Sequence, residues 1–279
     1  MSEVKIKMVD FFDSHVYRID ILNEGKLETR WIPSVTTKLS ITDKPFLAKW
    51  RGDIGNREAD MRLFESQERG SRIHYAWSVF CNGGLVIYQP WNRPNYTEAE
   101  IVELKKNNPL HAIIKYQDEM LALIKLQKLV NALKPKMHYS ERIVYSLTNN
   151  DAGTVDNDWE IETGYYNVNG SKPVLIPGGR YVVDLKNGNQ VSDEAYYQTA
   201  AYLKCSEEMD GTKYAGTIIV HTSSKNKGGI EGLGCHVSLM PQVEEHYKTY
   251  RLAAALWEKK NPDFAPKVFE FPTIIKKGE

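Results

Sequence analysis

Cysteine is scarce, with three residues in 279, at positions 81, 205 and 235. Their wide spacing excludes a disulfide framework and points to a reducing compartment. No apolar run approaches the roughly 18 residues of a membrane-spanning helix, so no membrane partner is expected. The opening Met1-Ser2-Glu3-Val4-Lys5 lacks the basic-then-apolar order of a secretory signal, which predicts a cytoplasmic protein. Neither sign of charge dominates: 36 basic residues face 36 acidic ones. That argues against nucleic-acid binding through bulk positive charge, and leaves open a local groove working with a metal ion. Internal repeats and low-complexity tracts are missing as well. There is no G-x-S-x-G elbow for a serine hydrolase. The run Gly228-Gly229-Ile230-Glu231-Gly232-Leu233-Gly234 lacks the lysine of a phosphate loop and reads as a connection between two strands. His111, His138, His221, His236 and His246 show no metal-ligand spacing.

The chain carries 42% apolar and 26% charged residues, ordinary for a globular protein and enough for one sizeable core. We expect a single unit over 1–279. It divides into an N-terminal hairpin and helical region (1–140), a core (141–221) and a C-terminal strand and helix (222–279). Residues 16–32 alternate as a hairpin around Asn23-Glu24-Gly25-Lys26. Ser34 caps a short helix. Residues 44–80 read as helical with an interruption at Gly70, and 81–96 as a loop with one short strand at Leu85–Tyr88. Thr97-Glu98-Ala99-Glu100 is a capping box. Asn108-Pro109 predicts a helix restart, carried by Ile113, Ile114, Met120 and Leu121 to Pro135. Strands follow at Arg142–Leu147, Gly153–Asp156 and Arg180–Lys186, then a helix at Asp193–Met209 and a strand at Ala215–His221. Gly232–Leu239 reads as a further strand, Pro241–Lys260 as a helix, and Trp159–Val174 as an inserted hairpin. The order predicts an α/β fold with a mixed central sheet flanked by helices.

Two of these strands end on carboxylates, Asp156 and Asp184, and Lys186 follows the second by two residues. Side chains i and i+2 share a strand face, so Asp184 and Lys186 point one way and Leu185 the other. Two carboxylates for a hard cation beside an ammonium suit metal-assisted cleavage of a phosphodiester. Upstream, Gly70 precedes His74 by four residues and Glu141 opens a strand. Downstream, Gln198 and Tyr202 lie at i and i+4 on one helix face. Taken singly, each has a plainer explanation. His74 reads as a packed core histidine beside Ile73 and Trp77, and Asp156 as a turn residue before Asn157 and Asp158. Asp184 and Lys186 read as a solvated strand end before Asn187-Gly188. Glu141 has Arg142 and Lys136 for salt bridges, and Tyr202 fits a core.

In this order the five features resemble the PD-(D/E)xK nuclease superfamily, in its RecB-type exonuclease branch. That branch includes phage exonucleases and mitochondrial genome maintenance exonuclease. Gly70–His74, Glu141, Gly153–Asp156, Asp184–Lys186 and Gln198–Tyr202 match its motifs. Pro33 through Trp50 is similar to the leader of phage and mitochondrial members, so the likeness spans about residues 33 to 221. Val155 stands where the name-giving proline would be, and the stretch between Asp156 and Asp184 is long. The resemblance implies a restriction-endonuclease-like core and a DNA exonuclease that leaves 5′-phosphates. A structure-specific endonuclease or a catalytically silent nucleic-acid-binding module are the alternatives on the same core. It further implies a Mg²⁺ or Mn²⁺ site formed by His74, Asp156, Asp184 and the Leu185 carbonyl. Lys186 would orient the attacking water or stabilise charge on the attacked phosphate, Glu141 would hold a second metal or a water, and Gln198 and Tyr202 would position DNA and support the site. Cluster-bearing members carry four cysteines, so no iron–sulfur cluster is expected here. The implied setting is recombination, repair or replication in a bacterial or phage-infected cytoplasm, with partner proteins from those processes.

For the DNA path, Lys49, Trp50 and Arg72 are the leading candidates. They belong to a basic set (Lys44, Lys49, Arg51, Arg57, Arg62, Arg69, Arg72) around Phe46 and Trp50. Five acids are interspersed there, so a solvated helix face is the competing reading. Lys125, Lys128, Lys134 and Lys136 form a second basic stretch, and Lys225 and Lys227 are further candidates for phosphate contacts.

Overall fold

The computed structural model describes residues 3–11, 14–42, 44–168, 172–188, 190–222, 233–262 and 264. Five strands form the central sheet: β6 (Lys136–Ser146), β7 (Asp151–Ile161), β10 (Gly179–Lys186), β11 (Gly216–Thr222) and β12 (Leu233–Leu239). Their order is β12-β11-β10-β7-β6. β10 and β11 are parallel and every other neighbour is antiparallel, so the sheet is mixed. The parallel pair requires a crossover, which α6 (Asp193–Asp210) supplies.

Strand alternation distributes β10 between two layers. Tyr181, Val183 and Leu185 join Ile218 and Val220 under α3 (Asn56–Cys81) and α5 (Gln117–Leu133). On the opposite face, Val182 joins Val144 and Val155 under α1 (Val35–Leu39), α6 and α7 (Met240–Lys260). Helices thus cover both faces, each with its own apolar core. A separate three-stranded sheet, β1 (Glu3–Phe11), β2 (Ser14–Asn23) and β3 (Lys26–Pro33), packs Tyr17, Ile19, Ile21 and Ile32 against Ala152 of β7. One ionic clamp crosses the second layer. The fully buried Lys38 of α1 reaches Asp151 of β7 at 2.8 Å and Glu258 of α7, and Tyr250 and Arg251 also hold Asp151.

Several expectations change. The N-terminal hairpin gains a third strand, β1, which pairs with β2 along its whole length. Gly70 does not interrupt the helix: α3 runs 26 residues through it. The break lies at Gly55, whose φ of 84° divides α2 (Pro45–Ile54) from α3. Asn108-Pro109 starts no helix. His111–Ile114 forms β5, paired in parallel with β4 (Leu85–Tyr88), and Ala112 and Ile114 alternate inward. Here the β-branched pair Ile113-Ile114 and a two-residue period prevail over a cap signal. α4 (Glu98–Asn107) carries the capping box. β7 continues past Asp156 to Ile161, so the inserted hairpin is only β8 (Gly164–Tyr166) with β9 (Val174–Ile176). The expected strand connection at 228–234 and the lysines at 225 and 227 lie wholly or mainly outside the described residues.

Candidate metal centre

The site forms where two strands part. β7 and β10 pair from Gly179↔Ile161 to Val183↔Asn157, and the ladder stops there. The next backbone donor of β10, Leu185 N–H, finds a side chain instead: it donates to Asp156 Oδ2 at 2.7 Å. The other Asp156 oxygen lies 3.2 Å from His74 Nδ1. Asp156 is therefore mid-strand, and its carboxylate bridges the gap between the sheet and α3. His74 can be presented there because Ile73, Ala76, Trp77 and Val79 bury the adjoining face of α3. Trp77 meets Trp159 of β7 edge-on at 6.3 Å.

On the other side of Asp156, β6 is distorted. Ser140 pairs with Asn157 and Arg142 with Val155, while Glu141 and Asp156 are skipped. Glu141 has a φ of 53°, a left-handed conformation that an L-residue with a side chain adopts at a cost. The result is a reversal of faces. Ser140 reaches Ser78 on α3, whereas Arg142, two residues on, reaches Asp210 on α6. Glu141 itself is turned toward His74 and Asp156, and ligand atoms of these three lie within 4.8 Å of one another. Asp184 is not in that trio. It is buried, with Oδ2 2.7 Å from Lys186 Nζ.

Lys186 is held in turn. Its ammonium donates to Gln198 Oε1 at 3.1 Å, and Gln198 Nε2 donates to Tyr202 OH at 2.9 Å. Tyr202 is buried against Gly153 of β7. A Cβ on Gly153 would fall 2.0 Å from its ring, which explains a glycine three residues before Asp156. Gln198 and Tyr202 thus support Lys186, and the buried ring offers no surface to DNA. Gly70, by contrast, has open space around it.

The charges are strongly coupled. Burial disfavours the His74 imidazolium, yet Asp156 and Asp184 outweigh it and raise its pKa to about 9. Desolvation by the surrounding protein and repulsion from Asp156 push Glu141 up to about 7. Asp156 is kept low against its own burial by His74 and Lys186. Asp184 is driven upward by burial, with Lys186 opposing and Asp156 reinforcing. Three carboxylates face two cationic side chains, and two of the carboxylates, Glu141 and Asp184, are pushed toward their neutral forms. An imidazole and carboxylates converging with surplus negative charge suit a hard or borderline divalent cation.

The DNA-binding candidates are dispersed. Lys49 is exposed and Trp50 half-buried on α2. Arg72 donates to the buried Glu119 and lies 5.0 Å over the Tyr116 ring. Of the second basic stretch, Lys125 is buried and Lys136 pairs with Glu160. A link without a signal in the sequence is Arg69. It joins α3 to Asp118 of α5 and to Asn187, the residue after Lys186, which Thr222 also holds. Among the described residues, no helix is long and apolar enough to cross a membrane. No family model matches this chain, and no curated protein is significantly similar to it.

Proposed function

We propose that this protein is a Mg²⁺- or Mn²⁺-dependent DNA exonuclease built on a restriction-endonuclease-like core. One observation carries the reading: the Asp156 carboxylate joins His74 Nδ1 and Leu185 N–H at the parting of β7 and β10. Glu141 adjoins it, and an ammonium is held by the neighbouring Asp184. His74, Asp156 and Glu141 would hold the cation, with Asp184 and the Leu185 carbonyl as further donors. A divalent cation in such a site polarises the phosphodiester and acidifies a bound water.

The chain's own groups do the rest. Lys186 is aimed by Gln198 and held beside Asp184. Its ammonium then stabilises charge developing on the phosphate, a role suited to a compact cation. Glu141 would share in holding the cation, whose charge would keep its carboxyl ionised. The Asp156 bond to Leu185 N–H fixes the backbone between Asp184 and Lys186, so both side chains keep their direction.

The test is digestion of end-labelled linear DNA and of a closed circle in Mg²⁺ or Mn²⁺, beside Lys186→Ala and Asp184→Asn. Linear DNA shortened from its ends, an intact circle and two inactive but folded variants are expected. Wild-type rates in either variant, or undiminished cutting in chelator, would refute the assignment.

A further inference from the structure

In a regular strand, residues i and i+2 share a face. β7 breaks that rule at Asp156, as β6 does at Glu141. Val155 joins the apolar layer under α1, α6 and α7. Asn157, two residues on, pairs with Val183, which belongs to the layer under α3 and α5, and cross-strand partners share a face. Asp156 stands at the reversal and reaches His74 on α3. Asp156 and Asn157 therefore both turn toward α3, although they are consecutive. On its other side Asn157 pairs with Ser140, whose hydroxyl reaches Ser78, one turn along α3 from His74.

Asn157 is 1% exposed, and among the described residues neither its amide oxygen nor its amide nitrogen has a hydrogen-bond partner. Burying an amide in this way is unfavourable, and an apolar side chain of the same shape would be tolerated at least as well. The residue's surroundings explain why an amide stands there. Asp156 precedes it in β7, Ser140 across one ladder precedes Glu141, and Val183 across the other precedes Asp184. Each backbone neighbour thus is, or adjoins, a carboxylate of the metal centre. A neutral amide brings a donor and an acceptor to that place without a further charge. Small divalent cations keep several waters when bound, and groups behind the ligands orient what the cation holds.

We propose that Asn157 is a positioning residue of the metal centre, its amide holding a water of the bound cation's hydration shell. The inference rests on the metal-dependent reading of that centre and adds a residue to it. The experiment uses the whole chain, with Asn157→Leu as the apolar variant of similar shape and Asn157→Ser as one that keeps a donor and an acceptor. Thermal melts in chelator and in excess Mn²⁺ are combined with calorimetric titration of Mn²⁺. In chelator, Asn157→Leu should melt at or above the wild-type temperature, because it removes a polar group without a partner. Its Mn²⁺ affinity should fall about tenfold, and added Mn²⁺ should raise its melting temperature less than it raises that of wild type. Asn157→Ser should recover part of the lost affinity. A purely structural amide gives the opposite pattern, with a lower melting temperature in chelator and unchanged Mn²⁺ affinity. Either result for Asn157→Leu, melting well below wild type in chelator or binding Mn²⁺ as wild type does, overturns the proposal and leaves the metal centre standing. Failure of the wild-type protein to bind Mn²⁺ overturns both.

Discussion

Glu141 is held against two preferences at once. Its backbone is left-handed, and its carboxyl is pressed toward the neutral form by desolvation and then by Asp156. A strained backbone of this kind costs on the order of 1 kcal/mol or more, and surrounding structure must impose it. Asparagine tolerates the conformation better and carries no charge. Glu141→Asn should therefore raise the stability of chelator-treated protein by about 1 kcal/mol above pH 7, while weakening Mn²⁺ binding. Thermal melts and calorimetric titration with Mn²⁺ check the pair, and a destabilised variant would remove strain and repulsion from the account. Gly153 behaves oppositely. A Cβ there meets the Tyr202 ring at 2.0 Å with no room to yield, so Gly153→Ala should cost about 1–3 kcal/mol in urea unfolding. Gly70→Ala, in open space within α3, should instead stabilise by roughly 0.5–1 kcal/mol.

At the scale of elements, the buried Lys38 ties α1, β7 and α7 through Asp151 and Glu258. Lys38→Met leaves Asp151 inside the protein with less charge compensation, which should cost about 3 kcal/mol. Denaturant midpoints for this variant should fall well below wild type, and an unchanged midpoint would show that Tyr250 and Arg251 suffice. α3 and β10 meet the metal centre from different layers, joined by His74–Asp156 and by Arg69–Asn187. Neither link follows from helix or strand periodicity. Gly70 read as an interruption because glycine is a poor helix former, yet packing of Ile73, Ala76 and Trp77 carries α3 through it.

For the whole molecule, the titrating groups of the centre predict how stability varies with pH in chelator. His74 has a folded pKa of about 9, above its ordinary 6.5, so its contribution is complete below about 6.5 and is lost as pH rises through 9. Glu141, raised from 4.5 to about 7, adds a loss in the same direction between those two values, so its share is spent by about pH 7. Asp156, held low, contributes above its ordinary range and is lost only on acidification. Melting temperatures in chelator should thus decline between about pH 6.5 and 9. Excess Mn²⁺ should cancel or invert the decline, because cation binding releases the same proton. A flat profile in chelator would contradict the coupled charges.

Much of this was legible in the residues themselves. Strand alternation put Asp184 and Lys186 on one face and Leu185 on the other. The i, i+4 relation put Gln198 beside Tyr202, and Thr97 with Glu100 formed its capping box. These are matters of period and short-range sterics, which neighbouring residues decide. The convergence of His74, Glu141 and Asp156, the parting of β7 from β10, the left-handed Glu141 and the conversion of 111–114 from helix to strand needed the tertiary structure. Each depends on which distant segments pair and pack, and burial of apolar side chains across the whole sheet settles that choice.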